Sequence, residues 1–216
     1  MAITLATGTA LSIASTYGAS VNMTALTNAA EAVATLAVGH GCVVGDFLEV
    51  TSGWDLLNNR IVRVKTVATN DITFEGINTV STTSYPAGTG TGTIRRITAW
   101  TTISQVQSFD TSGGDLNFAD ITTITDKTQK QVPTTRSAQA LSMTVFDDAT
   151  LAGQIAVQAA SDLSTPAAFR IVFANNSRMV INGYWSINSA PAVAVNAPLT
   201  NNITFSGLAL ATRYAT

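Results

Sequence analysis

Apolar and polar positions alternate along most of this chain, in short runs separated by turn residues, which is the pattern of strands joined by tight connections. Residues 3–13 are Thr-rich and partly alternating, predicting a strand or an extended arm. Residues 28–36 have helical propensity, yet their Thr and Val content also admits a strand. Residues 47–51 predict a short strand and Ser52-Gly53-Trp54 a turn. Over residues 60–67, Ile61, Arg63, Lys65 and Val67 share one face and Val62 and Val64 the other. A turn at Asn70-Asp71 leads to a strand over 72–76, and residues 85–93 read as a flexible loop. Residues 94–97 close this stretch, which the short strands and tight turns make a small barrel or sandwich.

The texture changes at Val38 and again at Trp100. Residues 101–109 predict a strand, and 110–115 a turn whose paired glycines, Gly113 and Gly114, accept positive φ. Residues 126–135 are polar and contain Pro133, predicting a long loop. A strand over 140–146 places Leu141, Met143 and Val145 on one face. One helix follows, over 149–161. Asp147 or Asp148 is placed to cap it, and Leu151, Ile155 and Ala159 form its apolar stripe. Ser164-Thr165-Pro166 ends it. Residues 169–173 and 179–185 predict a hairpin, with Phe169, Ile171, Ile181 and Trp185 facing the helix, and 203–211 the last strand.

Composition adds a reason to expect association. Charged residues are 11% of the 216, hydrophobic residues 46%. An ordinary soluble domain carries about 25% charge, so much of this surface is expected to be covered in use, the alternative being a neutral surface that stays monomeric. No apolar run reaches the roughly 18 residues of a spanning helix, and residues 1–22 lack a signal peptide's charged start. A cytoplasmic origin without a membrane anchor is therefore expected. The net charge of -2 argues against tight nucleic-acid binding.

Candidate chemistry is sparse. His40 and Cys42 could ligate zinc, but no third ligand accompanies them, and His40 is the single histidine available as a catalytic base. The Gly88-Thr-Gly90-Thr-Gly92 run lacks the Lys-Ser/Thr of a phosphate loop. Asp110, Asp115 and Asp120 fit no calcium-loop spacing. Arg60, Arg63, Lys65, Arg95 and Arg96 form a basic stripe or a solvated sheet face, and Trp54, Trp100 and Trp185 read as core or interface anchors. No catalytic, cofactor or metal site is expected. A loop as long as 110–135 usually has a function, so Gly113, Gly114, Phe118, Val132 and Pro133 are the candidate self-assembly residues. Phe118 and Val132 would supply its apolar contacts once it orders on a partner.

The order of these textures resembles the tail tube proteins of long-tailed bacteriophages. The resemblance rests on the Thr-rich start and on His40-Gly-Cys-Val-Val-Gly-Asp-Phe-Leu-Glu-Val-Thr-Ser-Gly-Trp54 with Asn59-Arg-Ile-Val-Arg-Val-Lys65. It continues with Trp100-Thr-Thr-Ile103-Ser-Gln-Val106, similar to a W-x-x-I-x-x-V strand of that family, then long loop, strand, helix, hairpin and final strand. It implies a mainly β (α+β) fold of two packed β-sheets, a β-sandwich or partial barrel, with one flanking α-helix. Residues 1–38 and 98–216 would form that core, and 39–97 a small inserted β-module. It implies a structural virion protein, not an enzyme, whose partners are itself, in stacked homohexameric rings, and other phage tail proteins at the tube ends. DNA would pass without specific binding through a weakly acidic bore, in a tail assembled in the host cytoplasm. A capsid decoration or tail-terminator protein, or a carbohydrate-binding β-sandwich, are the competing readings.

Overall fold

The computed structural model describes residues 7–215. The arm expected over 3–13 falls partly outside them; from Ala10 it belongs to β1 (Ala10–Leu26), the longest strand. Next come β2 (Val33–Leu36), β3 (Phe47–Ser52), β4 (Arg60–Ala68), β5 (Asp71–Phe74) and β6 (Gly92–Ile103). The order β1-β2-β5-β4-β3-β6 returns to β1, because β6 also pairs with β1. These strands therefore close a barrel, and closure leaves no edge inviting stray pairing. Leu48, Val50, Val62, Val64, Ile72, Phe74 and Ile94 fill it, with Met23, Ala34 and Leu36 from β1 and β2. Residues 28–36 thus resolve as loop and strand, since β2 is hydrogen-bonded on both sides, to β1 and β5.

Trp54 and Tyr85 plug this core, their ring centroids 5.2 Å apart. The segment 85–93 is not a free loop. Trp54 Nε1 donates to the Pro86 carbonyl at 2.7 Å, and a Cβ on Gly90 would sit 2.7 Å from the indole ring. Glycine is required there because the backbone lies flat on the tryptophan.

The rest of the chain builds a sandwich from β7 (Val106–Ser112), β8 (Leu116–Asp120), β9 (Gln131–Arg136), β10 (Ala140–Phe146), α1 (Ala152–Asp162), β11 (Phe169–Val172), β12 (Arg178–Ile181), β13 (Gly183–Ile187), β14 (Thr200–Gly207) and β15 (Thr212–Tyr214). The first half of β1 pairs with β11, which continues to β12 and β15. A separate sheet, β13-β14-β10-β7, packs against that layer. Phe169, Trp185 and Phe205 meet at the centre, with Trp185–Phe205 centroids 5.0 Å apart. Leu141, Met143 and Val145 face this core, as their alternation predicted.

Several expected elements break where the chain changes sheet. Residues 101–109 split at Ser104-Gln105, with Gln105 at φ 58, so β6 and β7 lie in different sheets. Residues 179–185 split at Asn182, which is fully buried and donates to Glu49. Residues 203–211 end in β14, and β15 follows as the last strand. The long loop is a hairpin of β8 and β9 that pairs only with itself and contains Pro133 within β9.

The helix is real but turned from its expected face. Gly153, Val157 and Ala160 are buried, whereas Ile155 is 54% exposed. It packs mainly on β13, which carries the expected partner Trp185, and on β6 and β1. Neither aspartate caps it: Leu151 is the N-cap, Asp147 accepts from Asn201, and Asp148 accepts from Thr150. Gln154, nearly buried, takes the anchoring role by accepting from the Asp148 N–H at 3.2 Å and donating to the Phe146 carbonyl at 2.6 Å.

Barrel and sandwich share β1 and β6 and meet along a seam. Phe47, Ile61 and Ile97 pack on Ala14, Ala168, Val180 and Tyr214. Tyr214 Oη accepts from the Arg63 N–H at 2.8 Å, and Asn182 Nδ2 donates to the buried Glu49 at 2.9 Å. Strand alternation puts Phe169, Ile171 and Ile181 toward the β10–β14 sheet and Val180 and Tyr214 toward the barrel. The layers therefore stack as four-stranded sheet, β1–β11–β12 layer, barrel.

Candidate self-assembly surface

The four-stranded sheet buries one face and exposes the other. Because Leu141, Met143 and Val145 point inward, Ser142 and Thr144 point outward. Register places Asp110 and Thr204 beside Ser142, and Ser186 beside Thr204. Ser108, Ser112, Asn202, Ser206 and Tyr184 complete this face by the same alternation. It is a carpet of hydroxyls and amides with Asp110 as its charged group. None of the chain's 11 Lys and Arg lies in these four strands. The outer strands, β7 and β13, each have a strand neighbour on one side only. Such edges are templates for another copy's strand.

At one end of this sheet the β8–β9 hairpin projects. Gly113 (φ 75) and Gly114 (φ 85) form its hinge, and a Cβ on Gly113 would lie 2.1 Å from the Ala138 carbonyl oxygen. Phe118 pairs with Pro133 and Ala119 with Val132 across the hairpin. Phe118 is 56% and Val132 44% exposed. The five candidate residues are thus gathered on one projecting element. What the sequence reading missed is the flat hydroxyl face, whose signal was the Ser/Thr at alternate positions of β10 and β14.

The remaining candidates resolve as structure. His40 Nε2 lies 2.9 Å from the Thr69 carbonyl and its Nδ1 accepts from the Cys42 N–H, which fixes a turn. Cys42 is buried, and burial pushes its thiol up. Among the described residues no group of His, Cys, Asp or Glu is arranged to hold a metal. Four of the five cations of the basic stripe are ion-paired, Arg63 with Glu75, Lys65 with Glu31, Arg95 with Glu49 and Arg96 with Asp46, while Arg60 donates to the Thr212 hydroxyl. Trp54 and Trp185 are core anchors, and Trp100 flanks the seam. Arg170 lies over Trp100 at 4.4 Å, and burial, with Arg178 nearby, pulls it down to about 10. Burial likewise pushes Tyr17 and Tyr214, on the two sides of the seam, up to about 12.

One exposed sheet face without cations, two strand edges with a neighbour on one side only and one projecting arm are surfaces suited to meeting other chains. No curated protein matches it in sequence. A family model described as phage tail tube protein matches residues 52–216, from the end of β3 through β15 and so all of the sandwich except β1. The chain belongs to the phage tail tube protein family, and is a structural subunit of a phage tail.

Proposed function

We propose that this subunit forms stacked hexameric rings whose four-stranded sheets face a central bore through which DNA passes. The observation that carries this is the hydroxyl face without Lys or Arg. DNA adheres to proteins by displacing counterions with cations. A bore of Ser, Thr and Asn with Asp110 offers no such purchase, so the duplex slides. The open edges of β7 and β13 would join neighbouring sheets around the ring, and closure would leave no edge free. The barrel packs on the opposite side of the sandwich, so in this orientation residues 39–97 would lie outside, tied to the sandwich by β1, β2 and β6, which complete the barrel. The hairpin with Gly113, Gly114, Phe118, Val132 and Pro133 would order between rings. Other tail proteins would cap the tube ends, and assembly would take place in the host cytoplasm.

Negative-stain microscopy of the concentrated protein should show hollow filaments with six-fold end views. Particles bearing Ser142→Arg should then assemble but eject DNA slowly, with ejection partly recovering at high salt. Solid or absent filaments would sink the tube reading. Normal ejection by the arginine variant would remove this sheet from the bore.

A further inference from the structure

The two ends of the four-stranded sheet differ in a complementary way. Ser112, Ala140 and Ser206 lie in register at the hairpin end, and Phe146 pairs with Thr200 at the other. The far end carries Asp147, Asp148 and Asp162, with no Lys or Arg anywhere from residue 137 to 169. Between α1 and the strand ends there, a cleft of about 400 Å³ is lined by Asp147, Ile155, Asp162, Ile187 and Asn201.

Three features of that cleft are unresolved within one subunit. Asn201 is 7% exposed, and its Oδ1 has no hydrogen-bond partner among the described residues. Its Nδ2 is committed to the Asp147 carboxylate, an acceptor only, so the oxygen awaits a donor. Asp162 ends α1, where the helix dipole disfavours an anion; it accepts a hydrogen bond from Gln158 Nε2 at 2.6 Å, but the last turn has no basic residue. Ile155 is 54% exposed on the same wall.

The hairpin tip supplies the opposite of each. Residues 121–130 carry Lys127 and Lys130 against Asp126, and Lys130 is already paired with Asp126. Lys127 has no ion-pair partner among the described residues. Ile124 beside it is fully exposed. Since tip and cleft lie at opposite ends of the sheet, they meet between copies, in the head-to-tail contact that builds open filaments.

We infer that the cleft between α1 and the β13–β14 end is the socket for the hairpin tip of a second copy of this chain. Lys127 enters it to satisfy Asn201 Oδ1 and to pair with Asp162 and Asp147, while Ile124 covers Ile155. The inference rests on the tube reading and names the surface that the hairpin meets.

Charge exchange tests it. Lys127→Asp and Asp162→Lys should each leave a folded monomer, the latter melting no lower than wild type because it relieves the helix terminus. Each should raise the concentration needed for filament growth at least about tenfold. The double variant K127D/D162K should restore growth, since the pair is re-formed with reversed polarity. Single variants that assemble like wild type, or a double variant that stays as poor as the singles, would overturn the socket while leaving the tube reading intact. A wild-type protein that never forms filaments would overturn both.

Discussion

The barrel and the four-stranded sheet are built from similar alternating strands, yet they are finished to different degrees. The barrel closes on itself, and four of its cations find carboxylates. The four-stranded sheet has two edges with neighbours on one side only and an exposed face without cations. The barrel needs no second chain to close its edges. The open sheet, with Asp110 and no cation on its exposed face, is the part that the proposed ring would complete.

The largest effect that would sharpen this contrast is in the barrel. Trp54→Ala removes the plug and its hydrogen bonds to Pro86 and Thr89. Loss of a buried Trp costs about 3–5 kcal/mol, read as a drop in monomer melting temperature. An equally stable variant would mean that the barrel contributes little to the fold. The helix gives a smaller, internal version. Val157→Ala should cost roughly 1.5–3 kcal/mol, whereas Ile155→Ala should stay within about 0.5 kcal/mol. The reverse order in thermal melts would restore the stripe expected from the sequence.

Hydrogen exchange compares the two regions directly. Amides of β7, β13 and the β8–β9 hairpin should exchange quickly in the monomer and slow in filaments. Barrel amides should be protected equally in both states. Edge amides already slow in the monomer would mean that the sheet is complete without a neighbour.

The smallest effect lies at the seam. Tyr17 and Tyr214 are held protonated to about 12, and an unfolded tyrosine ionises near 10. Their contribution is present in full below pH 10 and fades as pH rises through 12, because only the unfolded state gains from ionising. The alkaline loss of stability should therefore be shallower in Tyr17→Phe. Arg170, pulled down to about 10, acts with the opposite sign in the same range. The difference between wild type and the phenylalanine variant isolates the tyrosine, and parallel alkaline curves would show that it contributes nothing.

Much of the strand content was legible because period-two alternation is local: Leu141, Met143 and Val145 point inward as read, and Val62 and Val64 face the barrel core. The residues of the 110–135 segment were legible only as a glycine turn and a polar, proline-containing stretch, since those are local signals. Their arrangement as a hairpin was not, because β8 and β9 are weakly patterned and exposed on both faces.

Where the chain changes sheet, local pattern fails. Nothing in the alternation of 179–185 marks Asn182 as the break; its buried bond to Glu49, distant in sequence, does. The helix face was misread for the same reason. Leu151, Ile155 and Ala159 make the more apolar stripe, but the surface offered by β13, β6 and β1 accepts Gly153, Val157 and Ala160, whose small side chains permit close approach. Sequence alone determined that this is a β-rich, weakly charged chain, since composition and alternation are properties of the residues themselves, and the order of its segments carried the resemblance to tail tube proteins. Which strands close, which edges stay open and which face carries no cation were decided only in three dimensions, because pairing between distant segments sets what each alternating strand buries and what it leaves for a neighbour.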